Sequence, residues 1–132
     1  MKGAYLLIIE LDREITIENR WNLKAGLYVY VGSAMSGLIQ RISRHMKKDK
    51  REHWHIDHLL RHGKILSVIM FPSEERLEEE ISRYLSRVLD GPRGFGSSDL
   101  KVRTNLYKIE KLGEFFELLG EFVQNVHENG VR

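Results

Sequence analysis

Arg41 and His45 stand one helical turn apart in the stretch Leu27 to His45, LYVYVGSAMSGLIQRISRH, where an apolar, aromatic run stops at Gly32-Ser33 and opens through small residues into a helical pattern. A guanidinium is a planar, permanent cation that grips two phosphate oxygens at once. An imidazole, with an unperturbed pKa of about 6.5, takes or gives a proton near neutral pH. The cations continue downstream: from Arg41 to Arg51, Arg44, Lys47, Lys48 and Lys50 intervene against Asp49 alone. Such a cluster is a footprint for a phosphate backbone, with a solvated helix face as the plain alternative. His53, His55 and His58 follow, the last two about one turn apart. No second metal-ligand motif accompanies them, so packing of Trp54 and Ile56 with local capping by Asp57 is the favoured reading over a zinc site.

The chain that must position these groups has 132 residues, which suits one domain over 1–132. A hydrophobic fraction of 42% with 30% charge is ordinary for a soluble protein, and no apolar run approaches a bilayer-spanning length. The opening MKGAYLLIIELD runs into Glu10 and Asp12 without a small-residue cleavage site, so it reads as a strand, with a cytoplasmic location and no membrane partner expected. Zero cysteines exclude disulfides, thiolate metal sites and a cysteine nucleophile.

The pattern predicts a strand over Ala4 to Leu11 with a hairpin partner at Ile15 to Ile17, a connection carrying Trp21 and Leu23, and a strand over Leu27 to Val31. Ser36 is placed as N-cap of a helix from Gly37 to about Lys48. On it Leu38, Ile39, Ile42 and Met46 form the apolar face, with His45 roughly 75° and Arg41 roughly 115° from its centre on one flank and Arg44 nearly opposite. A short helix over His53 to Leu60 ends at Gly63, and Lys64 to Phe71 is a strand. A helix from Glu74 to about Leu89 then puts Glu78 and Glu80 on the two flanks of its core stripe, with Glu79 pointing away; the wheel leaves both flanking acids open. A glycine-rich loop over Asp90 to Asp99, with Ser97, Ser98 and Asp99 as a polar end, leads to a last strand over Val102 to Ile109. An amphipathic helix over 112–127 closes the chain. The order predicts an α+β domain whose small, partly antiparallel sheet is flanked by helices.

Four ordered blocks now resemble the GIY-YIG nuclease superfamily: Gly3-Ala4-Tyr5, Tyr30-Val31-Gly32, Leu38-x-x-Arg41-x-x-x-His45, and an acidic residue on a later helix. With Arg44-His45, His53-Trp54-His55-Ile56-Asp57 and Phe95-Gly96-Ser97-Ser98-Asp99, the chain is similar to a small single-domain archaeal and bacterial branch of that superfamily. The resemblance implies a metal-dependent endonuclease that hydrolyses phosphodiester bonds in DNA, ahead of RNA, with structure-specific substrates of repair or recombination among the expectations. It implies that Glu78 holds a single Mg²⁺ or Mn²⁺, that Arg41 stabilises the phosphate, and that Tyr5 and Tyr30 with His45 position and activate water. His53 and His55 become pocket-wall or DNA contacts and Asn105 orients a water or phosphate, while Arg44, Lys47 and Lys48 track the backbone by charge. Departures are also visible. Ser33 stands where many relatives have lysine, the first two blocks lie further apart than in compact nucleases, and Glu79, Leu100, Val102 and Asn105 replace the branch's common cysteines and histidine. A nucleic-acid-binding module with weak or no activity is the alternative, and the assembly is expected to be a monomer or weak dimer.

Overall fold

A computed structural model describes residues 1–97 and 102–129. The strands are β1 (Gly3–Leu11), β2 (Ile15–Ile17), β3 (Trp21–Leu23), β4 (Gly26–Ala34), β5 (Lys64–Pro72) and β6 (Leu106–Ile109), and the helices are α1 (Leu38–Met46), α2 (His55–His62), α3 (Glu78–Leu85) and α4 (Leu112–Asn129). The expected α+β class is observed. Ser98, Asp99 and Leu100 lie outside the described residues. Among those described, no helix is long and apolar enough to cross a membrane.

β1 is apolar on both faces, which makes it the centre of a sheet rather than half of a hairpin. The order is β5-β1-β4-β6, and all three pairings are antiparallel. The expected pairing of Ile15–Ile17 with the first strand is therefore corrected. A nine-residue strand buried on both sides takes nine-residue neighbours, β4 and β5, and the three-residue β2 pairs instead with β3. Trp21–Leu23 is consequently a strand, with Trp21 and Leu23 buried and Asn22 exposed. Its turn is type I′: Glu18 and Asn19 both have φ of 54°, and the Arg20 N–H donates to the Ile17 carbonyl at 3.0 Å.

Alternation along β1 separates two cores. Tyr5, Leu7, Ile9 and Leu11 face one side with Tyr30, Leu38 of α1, Leu59 and Leu60 of α2, and the β2–β3 hairpin. Ala4, Leu6 and Ile8 face the other, covered by Ile81 and Leu85 of α3 and Phe115, Leu119 and Phe122 of α4. Helices thus cover both faces of the sheet.

Several element boundaries differ from expectation. α1 begins after Gly37, which occupies the cap position without a side-chain bond, so Ser36 is not the cap. Its inner line runs through Leu38 and His45, while Ile39 and Met46 are each 56% exposed. The whole helix is rotated toward its histidine. α3 starts at Glu78 rather than Glu74 because the Ser73 hydroxyl accepts the Glu75 N–H at 3.0 Å in a local turn. β6 starts at Leu106 rather than Val102, four residues long where it meets β4.

Register brings Tyr5 opposite Gly32. The Tyr5 ring lies over that glycine so closely that a methyl group at residue 32 would overlap it. Gly32→Ala is expected to cost about 1–3 kcal/mol in a urea unfolding measurement, the range for forcing volume into a packed core. Unchanged stability would mean that the ring does not rest there.

Candidate active site

A cavity of about 860 Å³ opens on the sheet face that carries the tyrosines. Tyr5 of β1, Tyr30 of β4, Arg41 and His45 of α1, and Glu78 at the start of α3 all line it, with His53, Trp54 and His55 forming one wall. Residues spread over 73 positions of sequence meet because the two central strands are neighbours and the helices around them converge. The deepest contact is a 2.6 Å hydrogen bond between the Tyr5 hydroxyl and His45 Nε2. Tyr30 stands edge-on to the same imidazole, with ring centroids 6.4 Å apart. His45 is 3% exposed, so it lies within the core and not at the rim that the wheel predicted.

Arg41 donates to the Ser33 carbonyl at 3.0 Å and lies 4.5 Å from the centre of the Trp54 ring. Arg44 approaches the same ring at 4.4 Å. Its guanidinium, however, grips both Asp57 carboxylate oxygens, at 2.8 and 3.0 Å, and reaches the Arg51 carbonyl. Asp57 also accepts the N–H groups of His53 and Trp54, closing the first turn of α2. Lys48 donates to the carbonyls of Leu60 and Gly63 at the end of α2, and Lys50 does the same for His45 and Lys47 at the end of α1. Arg44 and Lys48, expected to track a phosphate backbone, direct their cations in this fold to a buried carboxylate and to orphan helix carbonyls. Lys47 remains exposed.

The structure separates the acids that the helical wheel left equivalent. Glu78 lines the cavity, whereas Glu80 pairs with Arg83 at 3.1 Å. Asn105 is buried and donates through Nδ2 to Glu78 Oε2 at 2.6 Å and to the Gly96 carbonyl at 3.1 Å. It touches the acid directly, so its first role is to orient that carboxylate. His55 accepts the Gly96 N–H on Nδ1 at 3.0 Å. The neutral ring then carries its proton on Nε2, which faces Glu18 at 3.9 Å, an arrangement unsuited to metal ligation. Among the described residues no group of three or more His, Cys, Asp or Glu side chains could hold a metal. Glu78 alone suits a hard cation whose remaining ligands are waters and a substrate phosphate.

Two cavity residues escaped the sequence reading. Trp54 was read as packing, yet both arginines rest on it. Arg76 lines the cavity two residues before Glu78, in a segment read as helix, and no local pattern points to it.

Burial sets the protonation states. It raises the Tyr5 hydroxyl above the ordinary tyrosine range despite the adjacent Arg41 cation, and raises Tyr30 similarly, with Tyr5 and Glu78 adding to the effect. It pushes His45 down to about 4, with Arg41 and Arg44 assisting against Asp57. For Asp57, burial works to raise the carboxyl, but the Arg44 bond and the two backbone N–H donors prevail and hold it at about 2.

At pH 7 His45 is neutral in both folded and unfolded chains. Between its ordinary value of 6.5 and its native value of about 4 only the unfolded chain binds the proton, so stability falls as pH falls through that window. Urea unfolding from pH 7 to pH 4 is expected to lose on the order of 3 kcal/mol. His45→Gln, which keeps a polar group near Tyr5 but does not titrate, is expected to flatten that slope. An unchanged slope in the variant would place the titration elsewhere.

Residues 4–128 match the model of a family described as a domain of unknown function, DUF123. No curated protein and no solved structure matches the chain. With nearly its whole length covered by that family model, the chain belongs to the DUF123 family.

Proposed function

We propose that this protein is a metal-dependent endonuclease of GIY-YIG type that hydrolyses phosphodiester bonds in DNA. The observation that carries the reading is the convergence of Tyr5, Tyr30, Arg41, His45 and Glu78, drawn from four elements, on one cavity. These are the residues of the four sequence blocks, and they supply a cation, a proton acceptor and a carboxylate around a single open cleft.

In this reading a target phosphate enters against Arg41, whose other contacts, Trp54 and the Ser33 carbonyl, hold the guanidinium in a fixed plane. Tyr5 begins as a neutral phenol. As water attacks phosphorus, its proton passes to the Tyr5 oxygen while the Tyr5 proton moves along the 2.6 Å hydrogen bond to His45 Nε2. A base held near 4 is weak, but Arg41 is among the cations that depress it. The incoming phosphate charge offsets that cation, so substrate binding strengthens the base at the moment it is used. Tyr30 closes the other side and orients the water. Glu78, steadied by Asn105, would hold one Mg²⁺ or Mn²⁺, which supplies Lewis-acid stabilisation of the phosphate and the departing oxygen.

The test is a nuclease assay on branched, flapped and plain duplex DNA with Mg²⁺, Mn²⁺ or chelator. Arg41→Ala is expected to reduce cleavage by about 10²-fold or more, the scale for removing one preorganised transition-state donor, with its thermal unfolding little changed. Glu78→Gln is expected to abolish metal-dependent cleavage while DNA binding persists. A wild-type chain that binds DNA without cutting it, indifferent to Mg²⁺ and to Glu78→Gln, would replace the enzyme with a binding module.

A further inference from the structure

We propose that the outer edge of β5 is a self-association surface, where a second copy of this chain adds its own β5 in antiparallel orientation and joins the two four-stranded sheets into one. The proposal is independent of the nuclease reading. Exposed sheet edges are usually blunted by charge, proline or brevity. β5 is nine residues long; Lys64 and Pro72 guard its ends, and its register against β1 shifts once, between Ile65 and Ser67, leaving Ser67 to Pro72 regularly paired. The six residues between Leu66 and Phe71, LSVIMF, carry no charge.

The exposed apolar groups are concentrated beside this edge. Val68 and Met70 pair with Leu7 and Tyr5, which puts them on the same sheet face as the cavity, while Leu66 stands at a register shift between Ile65 and Ser67. Leu66 is 47% and Met70 44% exposed. On that face α1 lies along the strand, and its Ile39 and Met46 are each 56% exposed. Met46 and Ile65 line a small cavity of about 180 Å³ between helix and strand. A single exposed methionine is ordinary, whereas an apolar strip beside an unpaired edge marks an interface.

Two features identify the occupant as another copy. In an antiparallel pair centred on Val68, that residue faces its own copy and Ser67 faces Ile69, so the uncharged middle of the strand pairs with itself. The charges agree. The basic entry to β5, with Arg61 and Lys64, meets the acidic exit of the other copy, with Glu74 and Glu75, at both ends. A parallel arrangement would set like charges together. The two-fold axis runs perpendicular to the sheet, so both cavities open on one face of the joined sheet, suited to a ligand that engages two sites together.

Sedimentation equilibrium of the full chain over a concentration series is expected to show a dimer. Met70→Glu and Leu66→Glu, both at exposed positions, are expected to raise its dissociation constant more than about tenfold with thermal unfolding unchanged. Because the chain has no cysteine, Val68→Cys provides a direct reading of register. That residue faces its own copy and is expected to form a disulfide-linked dimer on mild oxidation, whereas Ser67→Cys, facing residue 69, is not. The proposal falls if the chain is monomeric at its highest soluble concentration, or if Ser67→Cys cross-links as readily as Val68→Cys. It also falls if the dimer ignores Met70→Glu and dissociates with Phe116→Glu on the exposed flank of α4.

Discussion

Asp57 carries a carboxylate with no exposed surface, and four donors converge on it: two from Arg44 and one each from the backbone of His53 and Trp54. Burying such a charge is costly, and leaving it with a partner missing costs about 3–5 kcal/mol. That constraint ties the last turn of α1 to the first turn of α2. It also fixes Trp54, on which Arg41 and Arg44 both rest. The orientation of Arg41 toward the cavity is therefore a consequence of a carboxylate it does not touch. If α2 were displaced, Asp57 would lose its donors and Arg41 its platform together.

The basic run also serves the fold itself. A helix end exposes carbonyls that need donors. In the described structure Lys48 and Lys50 turn back to supply them, and Arg44 turns inward to Asp57. Positive charge at the cavity then comes from Arg41 on one side and Arg76 on the other. Desolvation does the complementary work on the neutral groups. It keeps two phenols protonated and an imidazole uncharged within a few ångströms of these cations. Such a site responds strongly to an arriving anion, because in a low-dielectric setting each added charge shifts the balance of every other group.

The two faces of β1 divide the labour. The face with α3 and α4 is an apolar packing layer, in which Tyr107 and Ser82 satisfy each other and the Thr104 carbonyl. The opposite face carries every side chain to which the proposed chemistry is assigned except Glu78 and Asn105. Glu78 reaches the cavity from the start of α3, and Asn105, buried just before β6, couples it to the Gly96 carbonyl. Gly96 in turn sits against the Tyr30 ring with φ of 69°, a left-handed conformation that glycine adopts without strain. The glycine-rich loop and the central strand thus hold one another in place.

Local sequence determined a good deal of this protein. Period-two and period-three-to-four patterns located the long strands, the helices and the α+β class, since burial of one face imposes that spacing wherever the element lies. The resemblance carried by the blocks that hold Tyr5, Tyr30, Arg41 and His45 also singled out four residues that line the cavity. Tertiary structure alone decided the rest. It rotated α1 so that His45 is buried and Ile39 exposed, because a helix docks by fit to its neighbours and hydropathy sets only a broad stripe. It chose Glu78 over Glu80, which flank one stripe equally until Asn105 and Arg83 take one each. It moved Ile15–Ile17 from β1 to β3, because β4 and β5 occupy both edges of β1. It committed Arg44 to Asp57, thirteen residues away, because a buried carboxylate draws the cation within reach whatever face a wheel assigns it.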